Sequence, residues 1–306
     1  MAMLVVTLAA STAAFAVWHQ TVWLRQIENI TARGQANILV DNGMEWMRGV
    51  LYEDLHHGNP GIPQGGIIDD LSEDWAQEVT VVPDQLGELN CHIVDEQARI
   101  NLNNLVLYPD KTVVGDEIEA LRRLFRQLGL PEDLTNAIRD WADEDSEVSV
   151  PDGAEDLEYL DRRPPYRSAN RPLADINELY LISGFTEEIV NQLKPFVTAL
   201  PKETTVNVNT APPEVLAALF QDLSLDEARE LLQVRELGPF THEKDFLNQL
   251  SRDVKPRKTG FDVSSKYFRS TCQAKVAKVE VAYEALIFRD VQGWPSIIWQ
   301  RLLVDD

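Results

Sequence analysis

MAMLVVTLAASTAAFAVWHQTVWL (Met1–Leu24) contains no Asp, Glu, Lys or Arg, and RQIENITARGQANILVDNGMEWMRGVLYEDL (Arg25–Leu55) follows it with no proline before Pro60. The first run is about long enough, at ~20 residues, to cross the hydrocarbon layer of a bilayer as a helix. In the second run Ile27, Ile30, Leu39, Val40, Gly43, Trp46, Met47, Val50 and Leu51 recur at three- and four-residue spacing among polar residues. That is the period of an amphipathic helix. One helix from residue 1 to about residue 54 would be ~80 Å long at the usual rise per residue. A cleaved secretory signal is the rival reading, because Ala14-Phe15-Ala16 fits the A-x-A cleavage pattern. Against it, no basic residue precedes the apolar run, and the helical pattern continues past Ala16. The expectation is a transmembrane segment over 1–24 and a water-exposed half of the same stalk helix over 25–55.

Composition bounds the rest. The chain has 306 residues, 44% hydrophobic and 25% charged, which suits a globular head with a real core. Lys and Arg total 28 against 50 Asp and Glu, a formal net charge of -22. Such a surface repels phosphate backbones and anionic lipid, and no basic patch of useful size stands out, so nucleic acid is not an expected partner. Metal cations match the charge better. Cys91 and Cys272 are far apart and form no CxxC motif. They read either as buried small hydrophobes or as one long-range disulfide in an oxidising compartment.

HHGNPGIPQGG (His56–Gly66) is a Gly/Pro loop. From Glu78 to Val94, Leu89, Cys91 and Ile93 alternate with Glu88, Asn90 and His92, a strand with one buried face. The middle, about Asp116 to Leu250, reads as helical. A helix over Glu117–Leu128 stops at Gly129, and Pro131-Glu132 opens another toward Trp141. Two helix–turn–helix repeats follow. ADINEL (Ala174–Leu179) leads through Ser183-Gly184-Phe185 to a helix ending near Leu193. VNVNTA (Val206–Ala211) leads through Leu216 and Leu219 to a helix around Ala228–Leu232. Each has a polar Asn or Thr near its first N-cap. The tail returns to strands, with Phe268, Ser270, Cys272, Ala274 and Val276, then Val279, Val281, Tyr283, Ala285 and Ile287, alternating with polar residues. The reading is α+β: an antiparallel sheet domain over 56–105 and 256–306, and an inserted all-helical domain over 106–255.

The two repeats are helix-hairpin-helix-like. The DNA-binding form presents glycine N–H groups to phosphate, whereas the second hairpin, Gln221-Asp222-Leu223-Ser224, has no glycine and the first has Gly184 beside Glu187-Glu188. Packing modules fit better. The sharper feature is DWADEDSEVSVPDGAEDLEYLD (Asp140–Asp161), rich in carboxylates and without Lys or Arg. It is either a solvated acidic loop or a calcium site, since Ca²⁺ takes six to eight hard oxygens. Asp143, Asp145 and Glu147 mimic the first three ligands of an EF-hand loop, but Val148 replaces the required glycine and Ala154 stands at the twelfth position. Trp141 and Tyr159 would anchor the ends of the loop in the core. None of the histidines at 19, 56, 57, 92 and 242 sits in a zinc motif, and no GxSxG or P-loop is present. A membrane-anchored periplasmic calcium-dependent hydrolase, the main alternative, would need a nucleophile–base pair that no motif supplies. A membrane-anchored DNA-uptake protein runs against the charge.

ARINLNNL (Ala98–Leu105), DWADED (Asp140–Asp145), GAEDLEYL (Gly153–Leu160), PPYRSANRPLADINEL (Pro164–Leu179) and VNVNTAPPEVLAAL (Val206–Leu219) resemble, in this order and over nearly the whole chain, the K-type minor pseudopilins of type II secretion. The resemblance implies a pilin-like fold with an inserted helical domain and a single-pass inner-membrane anchor. It also implies a periplasmic head at the pseudopilus tip, in complex with I-type and J-type minor pseudopilins and near secreted exoproteins. It implies bound Ca²⁺ in the acidic segment, with Asp140, Asp143, Asp145, Glu155 and Asp156 as the residues on the matching motifs. Precursors of that family carry a short basic leader ahead of the apolar run, and this sequence starts inside the run.

Overall fold

A computed structural model describes residues 2–57, 67–82, 87–107, 112–255, 257, 260–291 and 293–303. Most of the Gly/Pro loop, 58–66, lies outside the described residues. The expected long helix is one element, α1 (Ala2–His57). Its first part is long and apolar enough to cross a membrane and is fully exposed. Contacts divide the chain into two units, Met1–Glu53 with Asp74–Val94 and Arg269–Asp306, and Asp54–Glu73 with Asp95–Phe268.

In the first unit, five strands form one sheet in sequence order: β1 (Val79–Val81), β2 (Glu88–Asp95), β3 (Tyr267–Val276), β4 (Val279–Phe288) and β5 (Ser296–Leu303). β1 runs antiparallel to β2, and β4 to β5. β3 and β4 are joined by the tight turn Ala277-Lys278, with Ala277 at φ 54°. β5 was not legible as a strand, because its apolar residues Ile297, Ile298, Trp299, Leu302 and Leu303 do not alternate, and the β4–β5 register slips between Leu286 and Ile287. Cys91 on β2 and Cys272 on β3 form a disulfide, with Cα atoms 4.2 Å apart. A Cβ added at Gly43 of α1 would lie 2.8 Å from Cys91 Sγ, so only glycine lets the helix lie against the bridge.

The amphipathic reading of α1 needs one correction. Ala32, Ala36, Leu39, Val40, Met44, Met47 and Leu51 are buried. Ile27 and Ile30, read from spacing as the same face, are exposed at 55% and 72%. At ~100° per residue they lie on the opposite side of the helix. The helix has two apolar faces, and a single period cannot separate them.

The second unit packs α2 (Gly115–Gln127), α3 (Leu134–Ala142), α4 (Asp156–Leu160), α5 (Glu187–Leu193), α6 (Pro213–Leu219), α7 (Leu225–Leu237) and α8 (Glu243–Leu247) around one apolar core. Gly129, at φ 69°, closes the turn after α2 as expected. Residues 95–105 and 260–263, assigned from sequence to the sheet region, pack by contacts in this unit. There Ile100–Asn101 pairs in parallel with Val197–Thr198, and Val206–Asn207 with Phe261–Asp262. Asn103 of ARINLNNL and Asn207 of VNVNTA bracket segments distant in sequence. Asn103 Nδ2 donates to the carbonyls of Leu173 and Leu200, while its Oδ1 accepts from Leu173 N–H. Asn207 Nδ2 donates to Asp69 O, Asp95 Oδ2 and Ser265 Oγ. Caps in the repeats come from Asp175, Thr186 and Ser224, and α6 opens on Pro212-Pro213.

Candidate metal centre

The acidic segment is placed by α3 and α4. The amphipathic period of α3 buries Leu134, Ala137, Ile138, Trp141 and Ala142, which carries Asp140 inward with them. The helix ends at Asp143, whose extended backbone (ψ 169°) turns the chain into the loop. Trp141 and Tyr159 are both buried and meet edge to face at 5.1 Å, pinning the two ends of the loop to the core. Tyr166 stacks on Tyr159, and Arg162 covers both rings.

Asp143, Asp145 and Glu155 each bring a carboxylate oxygen within 4.8 Å of the others. Asp140 stands beside them, near enough for its charge to act on Asp143 and Glu155; a Cβ added at Gly153 would lie 2.3 Å from Asp140 Oδ2, which itself accepts from Ser149 N–H at 2.9 Å. The strand of loop carrying Gly153 must therefore stay free of side chain. Asp156 turns elsewhere. It pairs with Arg167 at 2.6 Å and accepts from Ser168 Oγ. Glu147 is exposed, and its N–H closes a turn on Asp145 Oδ1.

Four buried oxygens of this cluster lack hydrogen-bond partners. Asp140 Oδ1, both oxygens of Asp143 and Glu155 Oε1 are buried and accept no hydrogen bond. Arg139 stands 3.4 Å from Asp143 Oδ2 without hydrogen-bond geometry. Burial, then the charges of Asp145 and Asp140, pushes Asp143 up to about 6. Burial likewise pushes Glu155 up to about 7, with Asp140 and Asp143 adding to it and the Ser168 hydroxyl opposing. Orphaned, mutually repelling carboxylates are costly unless a cation or protons intervene. The donor set is all hard oxygen, which fits Ca²⁺ or Mg²⁺ and not a soft metal. Asn170, whose N–H donates to the Trp141 carbonyl, likewise has a buried side-chain oxygen without a partner. Sequence reasoning missed Asn170 and Ser149, because neither carries charge. The signal available was the left-handed φ of 48° at Asn170, visible only in structure.

Comparison with known proteins places the chain. Residues 98–202 match the first-domain model of type II secretion system protein K, and residues 206–264 match a second model of the same protein. Type II secretion system protein K of Pseudomonas aeruginosa is 33% identical over 273 residues, 87% of this chain and 80% of the relative. That of Aeromonas hydrophila is 30% identical over 285 residues, 87% and 84%. A chain of the GspK-GspI-GspJ complex from enterotoxigenic Escherichia coli superposes with a TM-score of 0.78 at 28% identity, over 92% of this chain and all of that one. The chain therefore belongs to the type II secretion system protein K family and serves type II secretion as a minor pseudopilin.

Proposed function

We propose that residues 1–24 anchor this chain as a single pass in the bacterial inner membrane with the head in the periplasm. There it assembles with I-type and J-type minor pseudopilins at the pseudopilus tip. In this reading it supports pseudopilus growth and export across the outer membrane, and it catalyses no reaction. One observation carries the assembly reading. Trp23, Ile27, Ile30, Gly34 and Ile38 fall on one stripe of α1, opposite the face buried in the head. The 3-4-4 spacing of Ile27, Ile30, Gly34 and Ile38 is that of a helix–helix seam. Nothing lies within 4 Å of a Cβ added at Gly34, so a second helix has room to approach closely. An apolar stripe of this kind past the membrane span suits another stalk helix rather than water. Co-purification of the full chain with I- and J-type partners tests it. Ile30→Asp with Ile38→Asp is expected to abolish capture, and unchanged capture would refute the seam.

Calcium belongs to the same proposal. Asp140, Asp143, Asp145 and Glu155 would hold the ion, with Asn170 nearby, while Asp156 orders the loop through Arg167 and Ser168. The ion would neutralise the cluster and fix the loop of an inserted helical domain. In that domain the helix-hairpin-helix-like repeats act as packing modules, since Asn207 and Asn209 of VNVNTA are buried on protein partners.

A further inference from the structure

Where α1 leaves its apolar span, the fold makes a groove of about 710 Å³ in the first unit. One wall is the stalk helix, with Arg25, Glu28, Asn29 and Gln35, and the other is the β3–β4 turn at Val276, Ala277 and Lys278. Arg25 and Lys278, far apart in sequence, face this one groove, and neither has an ion-pair partner among the described residues. Arg25 precedes the buried Ala32 by two turns, so it lies on the head side of the helix, below the turn. Exposed Arg33 and Lys275 add positive charge at the same end. Glu28 and exposed Glu280 oppose them, and against a net charge of -22 over the chain this end still holds more cations than carboxylates.

We propose that the groove binds the headgroup of an anionic phospholipid in the leaflet from which the span emerges; the inference rests on the membrane-anchor reading. Its chemistry matches an amphipathic anion. Arg25 and Lys278 meet the phosphate, the Asn29 amide one turn beyond Arg25 is within its reach, and Ala32, Val276 and Ala277 close the head-side end of the groove. The height also fits. The headgroup layer adds roughly 5–7 Å beyond the hydrocarbon on each side, so at ~1.5 Å per residue it covers about the first turn after Leu24. The acidic bulk of the head is repelled by an anionic surface, and two unpaired cations at the base counter that repulsion where the chain meets the membrane. Glu28 opposes the site from within it.

The test uses the full chain in vesicles of phosphatidylcholine alone and of phosphatidylcholine mixed with phosphatidylglycerol. Flotation reads anchoring, and native mass spectrometry of the extracted protein reads which lipid it retains. Wild type is expected to float with both vesicles and to retain phosphatidylglycerol preferentially. In Arg25→Gln/Lys278→Gln that preference is expected to fall roughly 30-fold, about fivefold per charge, while flotation and melting temperature stay unchanged. Glu28→Gln should raise it. If the double variant melts early, Lys278→Gln alone, at an exposed turn, must still lose about fivefold. Wild type that floats without lipid preference, or variants that keep the preference, overturn the groove while leaving the anchor standing. Wild type that fails to float with either vesicle overturns the anchor and the groove together.

Discussion

The two units of this protein are held together by opposite means. The sheet unit is cross-linked: Cys91 and Cys272 join β2 to β3, and the bridge lies against α1 at Gly43. The helical unit has no covalent tie. It relies on buried amide brackets, and it carries a cluster of carboxylates that repel one another. A covalent tie acts at any pH and in any ion. A bracket acts while its partners stay aligned. A carboxylate cluster acts only when something neutralises it. The first unit should therefore be indifferent to solution conditions that reset the stability of the second. Trp141 is the one tryptophan in the second unit, so its fluorescence in a background with the other tryptophans replaced by Phe separates the two transitions.

The largest effect should come from the bridge. It closes a loop with a sequence separation of 181, for which chain entropy predicts a loss of about 5 kcal/mol on removal. Cys91→Ala/Cys272→Ala should lower the sheet transition in denaturant, by that order where the second unit inside the loop has already unfolded and by about 3 kcal/mol where it stays folded, and leave the Trp141 signal nearly in place. Equal shifts in both signals would mean that the units unfold as one. Next come the brackets. Asn103→Ala strips partners from two buried carbonyls and one buried N–H, a cost of about 3–4 kcal/mol. Gln273 on the sheet makes one side-chain bond, to Glu280, with both residues exposed, and Gln273→Ala should cost about 0.5 kcal/mol. A similar loss at both sites would remove the distinction between brackets and ordinary surface amides.

Calcium should act on the second unit alone. A ligand bound only to the folded state adds about 2.7 kcal/mol at a hundredfold excess over Kd. Chelation should lower the Trp141 transition, and Asp143→Ala/Asp145→Ala should abolish the response to added calcium. Magnesium should replace calcium poorly, because it demands a smaller octahedral shell. Identical melts in chelator, calcium and magnesium, with no metal by elemental analysis, would leave a solvated acidic loop in place of the site.

Much of this contrast was legible in the sequence, and what was hidden was hidden for physical reasons. Period and charge announce α1, the alternation of β2 and β3, and the acidic loop between Trp141 and Tyr159, because burial imposes those patterns locally. The second apolar face of α1 was invisible, because Ile27 and Leu39 look alike until a sheet covers one of them. The asparagines of VNVNTA read as lying near a cap, because Asn does cap helices; their partners, Asp69, Asp95 and Ser265 for Asn207 and Phe240 for Asn209, are distant in sequence. Asp156 read as one more carboxylate in the run, and only the fold sets Arg167 against it.

The smallest and most discriminating effect is that of pH. Burial pushes Asp143 up to about 6 and Glu155 up to about 7 in the metal-free protein, whereas carboxylates of an unfolded chain titrate near ~4. Between about pH 4 and 7 the folded state therefore holds protons that the unfolded state has shed, and its stability falls as pH rises. Calcium competes for the same oxygens, so its stabilisation should grow over that interval and reach its full size only above about pH 7. Asp95, elsewhere in the second unit, is also pushed up to about 6, mainly by burial and further by Asp69, against the Ser265 and Thr210 hydroxyls. It accepts four hydrogen bonds, so calcium has no place there. Its share of the downward slope should survive in saturating calcium. The chelated and calcium-loaded melting curves of the second unit should therefore meet near about pH 5 and diverge toward about pH 7.5, the chelated one falling more steeply. A chelated curve that is flat or rises across that range would show that the cluster is solvated and costs the fold nothing. A calcium-loaded curve with no residual slope would show that the four hydrogen bonds to Asp95 outweigh its burial.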